Sequence, residues 1–120
     1  MSPLVFALAA VCGGLGAAVR YLVDVGIARV AGTRFPWGVL VVNVTGSLVL
    51  GLVVGMLPDA AFVVGAGFLG GYTTFSTAMV DTVALWRDGE RRASVLYSGG
   101  MLLAGLAAAA LGLALTFSIS

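Results

Sequence analysis

The sequence predicts an all-α membrane protein: one domain over residues 1–120, built of four transmembrane helices with the third broken mid-membrane. Three observations carry this. Hydrophobic residues make up 61% of the chain and charged residues 9%, and the mean hydropathy is +1.15. A soluble domain of this size could not place so much apolar surface inside one core. The apolar residues fall into four runs, approximately 4–23, 35–57, 60–80 and 93–117, each near the ~20 residues that cross ~30 Å of hydrocarbon as a helix. The third run contains "GGYTTFSTA" (Gly70–Ala78), which resists being a plain helix.

The first run has no basic residue before it and the chain stays apolar afterwards, so it reads as a retained span and not as a cleaved signal. Ala9, Gly13 and Ala17 recur at four-residue spacing. They share one helix face, where small side chains let backbones approach in lipid. Cys12 is the single cysteine, which rules out an intrachain disulfide and suits a small packing residue. At the end of the run, Arg20 precedes Tyr21. The arginine either snorkels to the interface beside its aromatic anchor or forms a vestibule that attracts anions.

The second run repeats the small-residue face at Ser47, Gly51 and Gly55 and adds Asn43 in "VLVVNVTGS". A side-chain amide in hydrocarbon needs a partner on a neighbouring helix or a wet cavity. Both readings stand at this point.

In the third run, Gly70 and Gly71 weaken the helix, and the hydroxyls of Thr73, Thr74, Ser76 and Thr77 compete for backbone groups. Irregular backbone at membrane depth occurs only where protein buries it or a polar cavity accepts it. Freed carbonyls can meet a cation and freed N–H groups an anion, so an ion site is the stronger reading and a packing face the weaker. Phe75 lies inside this polar stretch. A ring edge carries partial positive charge and could assist a small anion, although a phenylalanine by itself suits a core. The fourth run has small residues at Gly100, Ala104, Ala108 and Gly112. Four short helices enclose little interior, so an ion pathway implies an oligomer.

All six basic residues are arginines: Arg20, Arg29 and Arg34 around the first loop, and Arg87, Arg91 and Arg92 around the third. Four crossings put these loops on one side. Positive residues favour the cytoplasm, so both termini are expected to be extracellular in a plasma-membrane protein. Histidine is absent, which removes the usual triads and most transition-metal sites. Of Asp24, Asp59, Asp81, Asp88 and Glu90, most fall at span ends or in loops, and no pair suggests a buried general acid and base. An enzyme is not expected.

Three stretches, "GGLGAAVRY", "WGVLVVNVTGSLVLG" and "GFLGGYTTFSTAMVD", together resemble the signatures of the Fluc/CrcB fluoride ion channel family, across essentially the whole chain. The resemblance implies an antiparallel dimer in the membrane that passively exports toxic fluoride through narrow pores. It also implies a structural sodium ion at the dimer centre, held by the backbone carbonyls of Gly70 and Thr73. Asn43 would be the pore asparagine, Arg20 the first-span arginine and Phe75 the first of two pore phenylalanines, with Thr74, Ser76 and Thr77 as hydroxyl neighbours and Tyr97 as the fourth-span tyrosine.

Three positions depart from the family pattern. Ala78 stands where the second phenylalanine is expected, Val39 where a threonine is usual, and Met101 where a serine often follows the tyrosine by one turn. The missing phenylalanine and the one-sided arginines both suit a chain that pairs with an oppositely oriented homologue. A homodimer is the competing assembly. Two other functions compete. One is a small multidrug exporter, poorly supported because spans one and two carry no mid-membrane carboxylate. The other is a non-conducting assembly subunit.

Overall fold

The computed structural model describes residues 2–119, so the first and last residues of the predicted domain lie outside the described residues. Helix α1 spans Pro3–Ala31 and α2 spans Trp37–Met56. A short turn, Pro58–Ala60, leads into a π-helical segment, Ala61–Leu69, and one α-turn, α3, Gly70–Tyr72. After a break come α4, Phe75–Arg87, and α5, Arg91–Ile119. Among the described residues, four stretches are long and apolar enough to cross a membrane: Pro3–Ala31, Trp37–Met56, Pro58–Arg87 and Arg91–Ser118. The third contains the break.

The helix ends follow local chemistry. The Ser2 side chain accepts a hydrogen bond from the Val5 N–H at 3.2 Å, and Pro3 occupies the first turn, where its missing N–H costs nothing. Helix α4 closes on Gly89, whose φ of 84° is left-handed. The Glu90 N–H then reaches Leu85 O at 2.9 Å and the Gly89 N–H reaches Trp86 O at 3.3 Å, the double closure that a left-handed glycine permits.

Helix α1 is longer than the predicted span, which ended at residue 23. The apolar run stops at Asp24, but Gly26 stays helical and the chain leaves the helix only at Gly32, with φ 82°. At 1.5 Å per residue a helix of 29 residues is ~43 Å long, more than the ~30 Å of hydrocarbon, so one end projects beyond it.

The helices meet through small residues. A Cβ on Gly67 would touch the Ala9 backbone, one on Gly71 the Gly13 carbonyl, and one on Gly16 the backbone of Phe68 and Tyr72. These contacts seat the first half of the broken helix on α1. On the other side, Gly51 lies on Ala109, Gly55 on Thr116 and Gly112 on Leu48, which holds α2 against α5. The expected face of α5 needs one correction. Gly112 makes contact, but Gly100 has open space around it, and Gly105 faces Ser47 instead. The contacting series runs Gly105, Ala109, Gly112, because α5 turns its smallest surface toward α2 lower in the bundle.

Phe35 in the first loop stands edge-on to Tyr97 in α5, ring centroids 5.3 Å apart. Phe6 meets Phe62 at 5.7 Å at the opposite end. The arginine-bearing loops therefore share one end of the bundle, and the Pro58 turn shares the other with the start of α1.

Candidate functional site

The break falls two residues later than the glycine pair suggests. Gly70 and Gly71 are helical. Thr73 (φ −79°, ψ 160°) and Thr74 (φ −148°, ψ 122°) are extended. The glycines serve the close approach to α1, and the threonines make the interruption. Thr73 Oγ1 donates to Leu69 O at 2.8 Å. Thr74 Oγ1 accepts from the Thr77 N–H at 3.3 Å and caps α4. These are the positions at which short hydroxyl side chains favour a cap over a continuous helix.

Asn43 completes the break. Its Nδ2 donates to Thr74 O at 2.9 Å, and its Oδ1 accepts from the Thr74 N–H at 2.9 Å. One side-chain amide thus satisfies both backbone groups of an extended residue, much as a neighbouring strand would. Two features hold Asn43 in place. Ser47 Oγ bonds back to Asn43 O at 2.9 Å. A Cβ on Gly46 would collide with the Thr73 side chain and press on the Tyr72 ring, so the glycine lets the break come up against α2. Thr45 Oγ1 and Tyr72 Oη, 3.0 Å apart, add a second polar link between the same elements.

The diverted hydrogen bonds free particular carbonyls. In an unbroken helix Gly70 O would accept from the Thr74 N–H, which here goes to Asn43. Thr73 O would accept from the Thr77 N–H, which here goes to Thr74 Oγ1. The only side-chain donor to Thr73 O among the described residues is Arg20 Nη1, at a long 3.5 Å. The Gly70 and Thr73 carbonyls therefore fit a hard cation, with a lone pair to offer on each. Two oxygens are few for such an ion, and the Arg20 charge opposes one of them.

The break opens onto a cavity of about 720 Å³ between α2, the broken helix and α5. Asn43, Gly70, Thr73, Thr74 and Phe75 all line it, as does Ala78. Phe75 is 78% exposed, so its ring stands out from the bundle and not in its core. The other predicted site residues lie apart. Ser76 and Thr77 are exposed beside the break but do not line the cavity. Arg20 approaches from the α1 side. Tyr97 is buried, with its hydroxyl toward Asp81 Oδ2 at 3.5 Å.

Sequence reasoning undervalued Met101. Its Sδ accepts from Asn43 Nδ2 at 3.0 Å, and it packs in a buried cluster with Val39, Ala78, Leu85 and Tyr97. The legible signal was its place one turn beyond Tyr97. All three departures from the family pattern meet in this one cluster.

A four-span bundle whose third helix is interrupted by backbone paired to a half-buried side-chain amide defines a membrane transport protein of the discontinuous-helix kind. Residues 7–113 match the family model described as "CrcB-like protein, Camphor Resistance (CrcB)", and the chain belongs to this family. A relative from Leifsonia xyli subsp. xyli, named "Fluoride-specific ion channel FluC 1", is 45% identical over 119 residues, covering 94% of this chain and 87% of its own. Nitrobacter hamburgensis has two relatives. Its "Fluoride-specific ion channel FluC 1" is 44% identical over 117 residues (84% of this chain, 92% of that one). Its "Fluoride-specific ion channel FluC 2" is 42% identical over 118 residues (92% and 94%).

Proposed function

We propose that this chain is a subunit of a fluoride-selective channel that lets toxic fluoride leave the cell passively. The observation that carries this reading is the Asn43–Thr74 pairing, which stabilises a helix break facing an open cavity. The N-terminus of α4 presents its first N–H groups and positive dipole end there, beside the exposed Phe75 ring. A small, strongly hydrated anion can exchange water for such groups. The names of the relatives point to the same ion.

The working unit in this proposal is an antiparallel pair, with the cavity face of one subunit against that of the other. Sodium between the subunits would be held by the Gly70 and Thr73 carbonyls and would neutralise the carbonyl end of the first half-helix of each subunit. The favoured partner is a homologue inserted the other way. The six-arginine bias would place both termini of this chain outside, and Nitrobacter hamburgensis has two such relatives.

The test is fluoride efflux from liposomes, read with a fluoride electrode and with chloride as control. The chain alone is expected to be slow, and the chain co-expressed with its homologue fast and fluoride-selective. Rapid efflux from the chain alone would establish a homodimer and overturn the pairing. A silent pair would overturn the channel reading.

The drug-exporter alternative needs a carboxylate that titrates. Asp81→Asn keeps an acceptor for Tyr97 and is expected to leave efflux through the pair within about twofold, with no proton coupling. A collapse of transport in that variant would favour proton exchange.

A further inference from the structure

We infer that Met101 is the wall that closes this chain's own passage between the broken helix and the arginine-bearing end. The inference rests on the channel reading above and goes beyond it by naming the residue that shuts one route. A second cavity, about 630 Å³, lies between α2 and α5 near Phe35 and Trp37. Among the described residues, Met101 alone lines both this cavity and the one at the break. Its side chain is 8% exposed, beside Gly100, which has open space around it, whereas further along α5 Gly105, Ala109 and Gly112 lie close against α2.

Met101 also occupies Asn43. The amide has two N–H donors. One goes to Thr74 O and the other to Met101 Sδ. The oxygen already accepts from the Thr74 N–H. In this arrangement Asn43 has no donor left for an anion. The bond to a thioether is the weakest of the three, and an unbranched methionine moves easily. Displacing Met101 is therefore the single change that both joins the two cavities and releases an N–H. Val39 and Ala78, packed around it, offer no polar group in exchange.

The experiment uses a Cys12→Ala background, so that no native thiol remains, and places a cysteine in the cluster behind Met101 by Val39→Cys, a near-isosteric change. A charged, membrane-impermeant thiosulfonate is added to membranes carrying the full chain. With Met101 present, modification is expected to be slow. M101S is expected to speed it at least about tenfold, because reaction requires an exposed thiolate. M101L retains the bulk without the sulfur acceptor and is expected to stay slow. Leu85→Cys, at a residue of the same buried cluster that lines neither cavity, repeats the measurement should Val39→Cys not fold. A rate that M101S does not change overturns the inference. So does a rate that M101L raises as much as M101S, since bulk would then not be the barrier. Fluoride efflux through the pair is measured in parallel. A rise with M101S supports an ion route behind the wall. Faster labelling with unchanged efflux overturns the route. Absence of efflux from every preparation counts against the channel reading and leaves the labelling result as the test of the wall.

Discussion

Asn43→Ala is expected to cut fluoride efflux through the pair at least about tenfold and to destabilise the protein by roughly 3 kcal/mol, since each buried backbone group left unpaired costs about 1–3 kcal/mol. The substitution strands the Thr74 N–H and C=O together. It also removes the partner of Met101 Sδ. The extended conformation of Thr73 and Thr74 then loses its support, and the two half-helices are expected to drift toward a continuous helix that covers the Gly70 and Thr73 carbonyls. Asn43→Asp separates the contributions. It keeps an acceptor for the Thr74 N–H but loses both donors and adds a charge. It should therefore impair efflux as severely as alanine while retaining more of the fold. Efflux normalised to reconstituted protein, with a denaturation midpoint in the same detergent, measures both effects. The account is falsified if Asn43→Ala leaves both quantities at wild-type values, because Thr74 would then have other partners.

The four crossings were legible because length and apolarity are set by the bilayer, and hydropathy reads both directly. Their ends were less so. Asp24 stops the apolar run, but a charge does not stop a helix, and α1 continues to Ala31 until Gly32 takes a left-handed conformation. The existence of a break was legible in "GGYTTFSTA" and its position was not. Glycine weakens a helix through backbone entropy, yet tertiary contact with α1 keeps Gly70 and Gly71 helical. The interruption moved to Thr73 and Thr74, where side-chain oxygens and the Asn43 amide offer the backbone other partners.

The candidate site divides in the same way. Asn43 stood out because an amide in hydrocarbon demands a partner, but the identity of that partner depends on how α2 meets the broken helix 31 residues later in the chain. Tyr97 and Met101 share a helix face and have opposite surroundings: one hydroxyl points to Asp81, the other side chain to the break. Nothing in a single sequence says which neighbours occupy the volume between them. The small-residue pattern of α5 was correct in kind and displaced in register, because a helix with glycine or alanine at most positions has several faces that could pack.

Gly71→Ala is expected to destabilise the protein by about 3 kcal/mol, the upper end of the usual overpacking cost. An added Cβ would lie on the Gly13 carbonyl and close to the Gly13 Cα. Those are backbone atoms of a long helix and cannot rotate away. In lipid no hydrophobic gain holds α1 in place while it adjusts, since helix association rests on close packing. The expected response is separation of α1 from the first half of the broken helix, which also withdraws Arg20 from Thr73 O. Gly14→Ala is the matched control. It adds the same methyl on α1, one position from Gly13, where nothing lies within 4 Å, and should leave stability unchanged or raise it by up to about 1 kcal/mol. Unfolding midpoints in sodium dodecyl sulfate titrations of the two variants give the comparison. Equal midpoints would mean that α1 is held by something other than its glycine contacts. A large loss confined to Gly71→Ala would show that the third helix is broken against a fixed support, so that the geometry of the break is a property of α1 as much as of the threonines that form it.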